Sequence, residues 1–143
     1  MKGSCACGGI QYELSDKIFI VNNCHCSICR KVHGAAFATY GHSKAENFRW
    51  LQGEDLITSY QSTPHNFRNF CRVCGSNVPI VVAQRNQVAI PMGTLDDAPG
   101  IQPEVNLFVA YKAPWFEITD SLPNYSEMPE PEVIAARKCE VIN

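Results

Sequence analysis

Seven of the eight cysteines in this 143-residue chain fall into three tight clusters, Cys5-Ala-Cys7, Cys24-His-Cys26-Ser-Ile-Cys29 and Cys71-Arg-Val-Cys74. Thiolates one to three residues apart converge on a soft cation such as Zn²⁺, at Zn–S distances of about 2.3 Å. Gly8 and Gly75 directly follow the two-cysteine clusters, where glycine lets the backbone turn tightly under a metal. Two plus two thiolates make one closed tetrahedral site, with Cys5, Cys7, Cys71 and Cys74 as its ligands. Cys24, Cys26 and Cys29 leave a fourth position open on a second metal. A closed site reads as structural and an open one as catalytic. The expectation is two Zn²⁺ ions per chain, one of each kind.

A disulfide framework is the alternative, and it requires an oxidising compartment. The N-terminal MKGSCACGG has no apolar stretch of the secretory type, so reduced thiols and a cytoplasmic location are expected. Cys5 and Cys7, or Cys24 and Cys26, are also poorly placed to bridge each other. Iron can occupy thiolate sites, but these runs do not match ferredoxin spacings. With a net charge of -2 and 18% charged residues, the chain offers no electrostatic case for nucleic acid or an acidic membrane surface. No apolar run approaches the ~20 residues of a membrane span.

The elements that must position these cysteines read mainly as short strands, in one domain with enough apolar material (45%) for a core. Ile10, Tyr12 and Leu14 alternate with polar residues. Ile18–Val21 runs into the middle cluster, and Ala36–Tyr40, Leu56–Tyr60, Asn66–Phe70 and Val105–Tyr111 are further β-rich runs. Val78–Ala83 and Val88–Met92 each contain a proline, which predicts an edge or a bulge. Helix is expected only from Ser27 to His33, in a turn capped by Ser43, and from Pro131 to Val141. Residues 1–127 form the expected domain, and 128–143 a proline-rich segment with the terminal helix. That helix carries the odd cysteine, Cys139, read as an inert thiol.

Gly3-Ser-Cys-Ala-Cys-Gly-Gly-Ile-Gln-Tyr12, Cys24-His-Cys-Ser-Ile-Cys-Arg-Lys31 with Gly34-Ala-Ala-Phe37, and Phe70-Cys-Arg-Val-Cys-Gly-Ser76 resemble the glutathione-dependent formaldehyde-activating enzyme family, which also contains centromere protein V. Phe48-Arg-Trp50, Gly93-Thr-Leu-Asp96 and Lys112-Ala-Pro-Trp115 extend the resemblance, in order, over nearly the whole chain. It implies a mainly β, zinc-bearing β-tent fold of small antiparallel sheets with few short helices. It also implies the same division of the seven thiolates. The implied activity is that of a carbon–sulfur lyase, activating glutathione for addition to formaldehyde to give S-hydroxymethylglutathione. The implied partner is therefore a small-molecule thiol. A non-catalytic zinc-stabilised binding module and a thiol carrier are the alternatives. Val105-Asn106-Leu107 departs from the family, many members of which have a histidine before an apolar pair.

Arg30 and Lys31 could balance the open cluster's charge or hold a substrate carboxylate, or they could be solvated surface cations. Lys112 and Trp115 could line a peptide-like pocket, with core packing the alternative for Trp115. His25, between two ligands in an extended segment, should point away from them. His33 lies four residues after Cys29, where a helical turn could carry it to the metal, but an ordinary polar histidine is the favoured reading. His42 and His65 are expected in loops.

Overall fold

The computed structural model describes residues 1–130 together with Glu132 and Val133. Its strands follow in the order β1 (Lys2–Ser4), β2 (Gln11–Leu14), β3 (Ile20–Cys24), β4 (Ala38–Ser43), β5 (Phe48–Gln52), β6 (Ile57–Thr63), β7 (Asn66–Cys71), β8 (Asn77–Val78), β9 (Ile80–Val82), β10 (Gln87–Pro91), β11 (Val105–Leu107) and β12 (Asn124–Tyr125). Helix α1 (Ser27–His33) joins β3 to β4. The strands assemble into three sheets, ordered β1-β2-β5, β12-β11-β3-β4-β10-β9 and β6-β7-β8. Pairing is antiparallel except around β11, which runs parallel to both β3 and β12. The fold is mainly β, as expected.

Alternation explains the first sheet. Tyr12 and Leu14 of β2 are buried while Gln11 and Glu13 between them are half-exposed, the pattern of a strand with one face on the core. Tyr12 meets the rings of Phe48 and Trp50 at centroid separations of 5.6 and 6.1 Å. It packs with Leu14, Ile18, Val21, Val88 and Ile90, so this core joins the small sheet to the large one. Gly3 lies so close over Tyr12 that a β-carbon there would strike the ring and the Thr94 carbonyl.

β3 is buried along its whole length, the pattern of a strand covered on both faces. Its two asparagines are therefore satisfied by side chains. Asn22 Oδ1 lies 2.8 Å from His42 Nε2, Thr39 donates to Asn23 Oδ1 at 2.8 Å, and Asn23 Nδ2 donates to Asn106 Oδ1 at 3.1 Å.

Pro79 divides the expected Val78–Ala83 strand in two. Proline has no N–H for the ladder, and the chain changes sheets at this point: β8 pairs with β7, whereas β9 pairs with β10. Pro91 is the last residue of β10. Two expectations are corrected. Ser43 does not cap a helical turn; it ends β4 and donates its hydroxyl to the Lys17 carbonyl at 3.0 Å, while Lys44 precedes a 3-10 turn at Ala45–Asn47 without a side-chain cap. The strand expected to reach Tyr111 stops at Leu107, because Phe108 adopts a left-handed conformation (φ 58) ahead of a 3-10 turn at Val109–Tyr111. Apart from Glu132 and Val133, the helix expected over 131–141 lies outside the described residues, as does Cys139. Among the described residues no helix is long and apolar enough to cross a membrane.

Candidate metal centres

The first centre is built from two similar knuckles. After β1, the Gly8 amide donates to the Cys5 carbonyl at 2.8 Å, with Gly8 at φ 72. At the end of β7, the Gly75 amide donates to the Cys71 carbonyl at 2.8 Å, with Gly75 at φ 74. Each turn needs a left-handed residue, and glycine adopts that conformation without a β-carbon penalty. The turns bring the sulfurs of Cys5, Cys7, Cys71 and Cys74 within 4.8 Å of one another. Cys5 and Cys7 are 3.4 Å apart, and Cys7 and Cys71 are 3.9 Å apart. Four ligands about 2.3 Å from a tetrahedral ion stand roughly 3.8 Å apart, so the donor set fits zinc.

The surroundings lock this cluster in place. Ile10 N–H donates to Cys5 Sγ at 3.2 Å, and Cys5, Cys71, Ile10 and Val78 form a core with Trp50, Leu56 and Ile57 against it. Ser76, which the sequence did not single out, ties the knuckles together. Its hydroxyl oxygen accepts from the Ala6 amide at 2.9 Å and lies 3.3 Å from Cys74 Sγ. The same hydroxyl, with the Ser76 amide, pulls the Cys74 thiol down to about 5. The Gly9 amide acts in the same direction on Cys7, but the neighbouring Cys5 and Cys74 sulfurs outweigh it and raise Cys7 to about 11. Sulfurs this close cannot all be thiolates without a cation among them.

The second centre is assembled where β3 meets α1. Cys24 is the last residue of β3. Cys26 is the N-cap of α1, extended at φ -62 and ψ 154, and its sulfur accepts the Cys29 N–H at 3.3 Å. Cys29 lies in the first turn and is 3% exposed. The three sulfurs lie within 4.8 Å of one another, and among the described residues no fourth Cys, His, Asp or Glu joins them. Hydrogen bonds from Cys24 and Cys29 hold Cys26 down at about 2, while Cys24 rises to about 11 beside Cys26, and Cys29 is driven up beside Cys24 and Cys26. Again the donor chemistry is that of thiolates gathered for a cation.

These sulfurs lie at a cavity of about 330 Å³. Tyr40, Phe67, Arg68, Arg85, Leu107 and Phe108 are among its walls, and so is Met128, one residue past the expected domain boundary. Arg68 Nη2 is 4.0 Å from Cys29 Sγ. Burial raises the Tyr40 hydroxyl far above its ordinary value, and His33 Nε2 lies 2.9 Å from it.

That contact decides between two readings of His33: the helical turn of α1 carries it to Tyr40, not into the thiolate cluster. His25 does point away from the cysteines, as expected, but into the core. It is 0% exposed, its ring 5.0 Å from that of Phe37 and 6.1 Å from that of Phe116. Its Nε2 is 3.4 Å from Asn106 Oδ1, and its Nδ1 has no hydrogen-bond partner. Asn106, at the departure from the family pattern, is a buried hub that donates to Asp120 and Asn124 at 2.9 and 3.0 Å. His42 lies in β4, not in a loop, whereas His65 does sit in the turn between β6 and β7.

Arg30, Lys31, Lys112 and Trp115 do not line this cavity. Lys112 Nζ donates to the Phe116 carbonyl at 2.9 Å, and Trp115 is 73% exposed, so it is not core packing. Sequence reasoning missed Arg68, Arg85 and Tyr40. The available signal was the position of Arg68 in a strand that ends at a ligand, Cys71.

A family model described as glutathione-dependent formaldehyde-activating enzyme matches residues 1–111. A protein of Halomonas elongata, provisionally named as such an enzyme, is 27% identical over 126 residues, which is 82% of this chain and 80% of that protein. A crystal structure of a Rhodobacter sphaeroides protein is similar with a TM-score of 0.56 and 25% identity, covering 72% of this chain and 92% of that one.

Proposed function

Because the chain belongs to the glutathione-dependent formaldehyde-activating enzyme family, we propose that it adds a small-molecule thiol, glutathione in the first instance, to formaldehyde at the three-cysteine centre. The observation that carries this reading is the contrast in ligand number: four sulfurs close one cluster, while three face a cavity at the other. Zinc held by Cys24, Cys26 and Cys29 would supply a position at which a thiol loses its proton near neutral pH. Zinc held by Cys5, Cys7, Cys71 and Cys74 would be structural.

The chain's own groups do the remaining work. Phe67, Leu107 and Phe108 give the cavity apolar walls beside the three sulfurs. Tyr40 keeps its proton because burial opposes ionisation, and His33 fixes its hydroxyl. Arg68 places positive charge beside Cys29, which offsets the negative charge of clustered thiolates. In the reaction a sulfur–carbon bond forms and the C=O double bond becomes single. The proton lost by the thiol ends on the former carbonyl oxygen, so no oxidant or reductant is required. The reaction class is that of a carbon–sulfur lyase run in the condensing direction.

The test is exchange NMR with ¹³C-formaldehyde and glutathione, with zinc-loaded protein present or absent. Faster hemithioacetal exchange, returning to the uncatalysed rate in Cys26→Ser, is expected. Thiol binding without acceleration would replace the enzyme with a carrier, and absence of thiol binding would leave a structural zinc module.

A further inference from the structure

We infer that Arg68 and Arg85 make this cavity selective for thiols that carry carboxylates. The inference rests on the reading of the three-cysteine centre as a thiol site. Both side chains line the cavity, and no Asp or Glu is found among its described lining residues. Among the described residues neither guanidinium is paired with a carboxylate; the ion pairs are Lys44–Glu46, Arg49–Glu13 and Arg72–Asp55. Arg68 is half-buried and lines the cavity without a carboxylate partner. A carboxylate entering the cavity would supply that partner, and guanidinium is the side chain best shaped for it.

The two cations sit at different depths. Arg68, on β7, reaches 4.0 Å from Cys29 Sγ, beside the place where a substrate sulfur would enter. Arg85 is exposed on the 3-10 turn Ala83–Arg85 between β9 and β10, at the rim. Asn22, Asn66 and Gln87 add neutral hydrogen-bonding groups to the same lining. A thiol with acidic groups set back from its sulfur suits this order of thiolate floor and cationic wall. At about 330 Å³ the cavity is near the lower end of ordinary ligand sites of about 300–1,000 Å³. The motif-adjacent cations Arg30 and Lys31 contribute nothing to this lining.

Calorimetric titration of the zinc-loaded protein with glutathione, 3-mercaptopropionate and 2-mercaptoethanol tests the assignment. Affinity should fall in that order, and the glutathione advantage should shrink as salt is added. Arg85→Gln, at an exposed turn, should cost glutathione up to about fivefold and leave 2-mercaptoethanol unchanged. Arg68→Gln should cost glutathione about tenfold or more, with Arg68→Lys recovering part of it. Melting temperatures confirm that each variant is folded. Equal binding of all three thiols by the unaltered protein would overturn the selectivity while leaving the thiol site standing. A glutathione advantage that survives both substitutions would move recognition to other cations. If not even 2-mercaptoethanol binds, the thiol reading fails and this inference fails with it.

Discussion

The four-cysteine and three-cysteine clusters use the same ligand, yet their local turns and their surroundings differ in kind. At the first, two knuckles from distant parts of the chain face each other, with Ser76 joining them and Ile10 and Val78 packed behind. At the second, all three ligands come from one β3–α1 junction, and what the rest of the molecule contributes is a cavity wall. A site whose ligands come from separate segments acts as a cross-link. A site whose ligands are local can change its occupancy without releasing distant segments. On the reading proposed above, ligand provenance, not ligand type, would separate the structural thiolate centre from the reactive one.

The largest expected effect follows from cutting the cross-link. Cys71→Ser should prevent stable folding, because structural zinc contributes an apparent ~10–16 kcal/mol in small zinc-finger peptides and a whole domain is stable by only ~5–15 kcal/mol. Soluble yield and circular-dichroism melting check it. A variant that melted like the parent would remove the cross-link role.

Cys26→Ser is the matched comparison. Serine is a good N-cap, so α1 keeps its cap while the cluster loses a ligand. The variant should fold, bind one zinc fewer and lose its response to thiols. Metal analysis and the spectrum of the cobalt-substituted protein report this. If it proved less stable than Cys71→Ser, the two sites would have exchanged roles. In the unaltered protein, graded chelation should remove one metal equivalent first, with the fold retained.

A smaller effect should come from Tyr40→Phe, which leaves His33 Nε2 without the hydroxyl 2.9 Å away. An unsatisfied buried group costs about 1–3 kcal/mol, and this loss should appear in denaturant unfolding together with weakened thiol handling, while both metals stay bound. The smallest concerns Arg49→Ala, remote from the cavity. The Arg49 guanidinium, through its hydrogen bond and then its charge, holds Glu13 below its ordinary 4.5. Stability from this pair is therefore present above pH 4.5 and lost as pH falls through the depressed value. Both groups are in contact with solvent, so the variant should melt almost like the parent near neutral pH and differ only by a shallower acid limb.

Much of the cysteine arrangement was legible because cysteine spacing is a local property. Residues two or three apart converge without help from the rest of the fold, and the glycines after Cys7 and Cys74 mark the turns. The strand around Tyr12 was legible from alternation, Asn66–Phe70 from its aromatic content and Val88–Met92 from its β-branched content. The cavity was not. Arg68, Arg85, Tyr40 and Phe108 lie on β7, the β9–β10 turn, β4 and the residue after β11, and only sheet packing brings them to one space. His33 illustrates the limit. Helical spacing left a metal contact open to it, and only the fold shows the partner it takes instead, Tyr40 on β4. The three-residue strand β1 is too short to show a period, and Asn106 looked like an ordinary polar residue until its buried partners were in place.

The separation of the closed site's halves has a consequence during synthesis. Cys7 and Cys71 are 64 residues apart, and a ribosome adding about 5–20 residues per second takes roughly 3–13 seconds to cover that distance. Throughout that interval Cys5, Cys7, Cys24, Cys26 and Cys29 emerge without Cys71 or Cys74. Four thiols would satisfy one zinc ion, and every set of four among these five joins at least one cysteine of the N-terminal knuckle to the middle cluster, the wrong partner. Reaching the native arrangement then requires ligand exchange once the second knuckle arrives. With zinc as the proposed metal, the yield of correctly metallated protein would therefore depend on how much free zinc meets the nascent chain, a sensitivity that a compact finger with all its ligands in one short segment does not have.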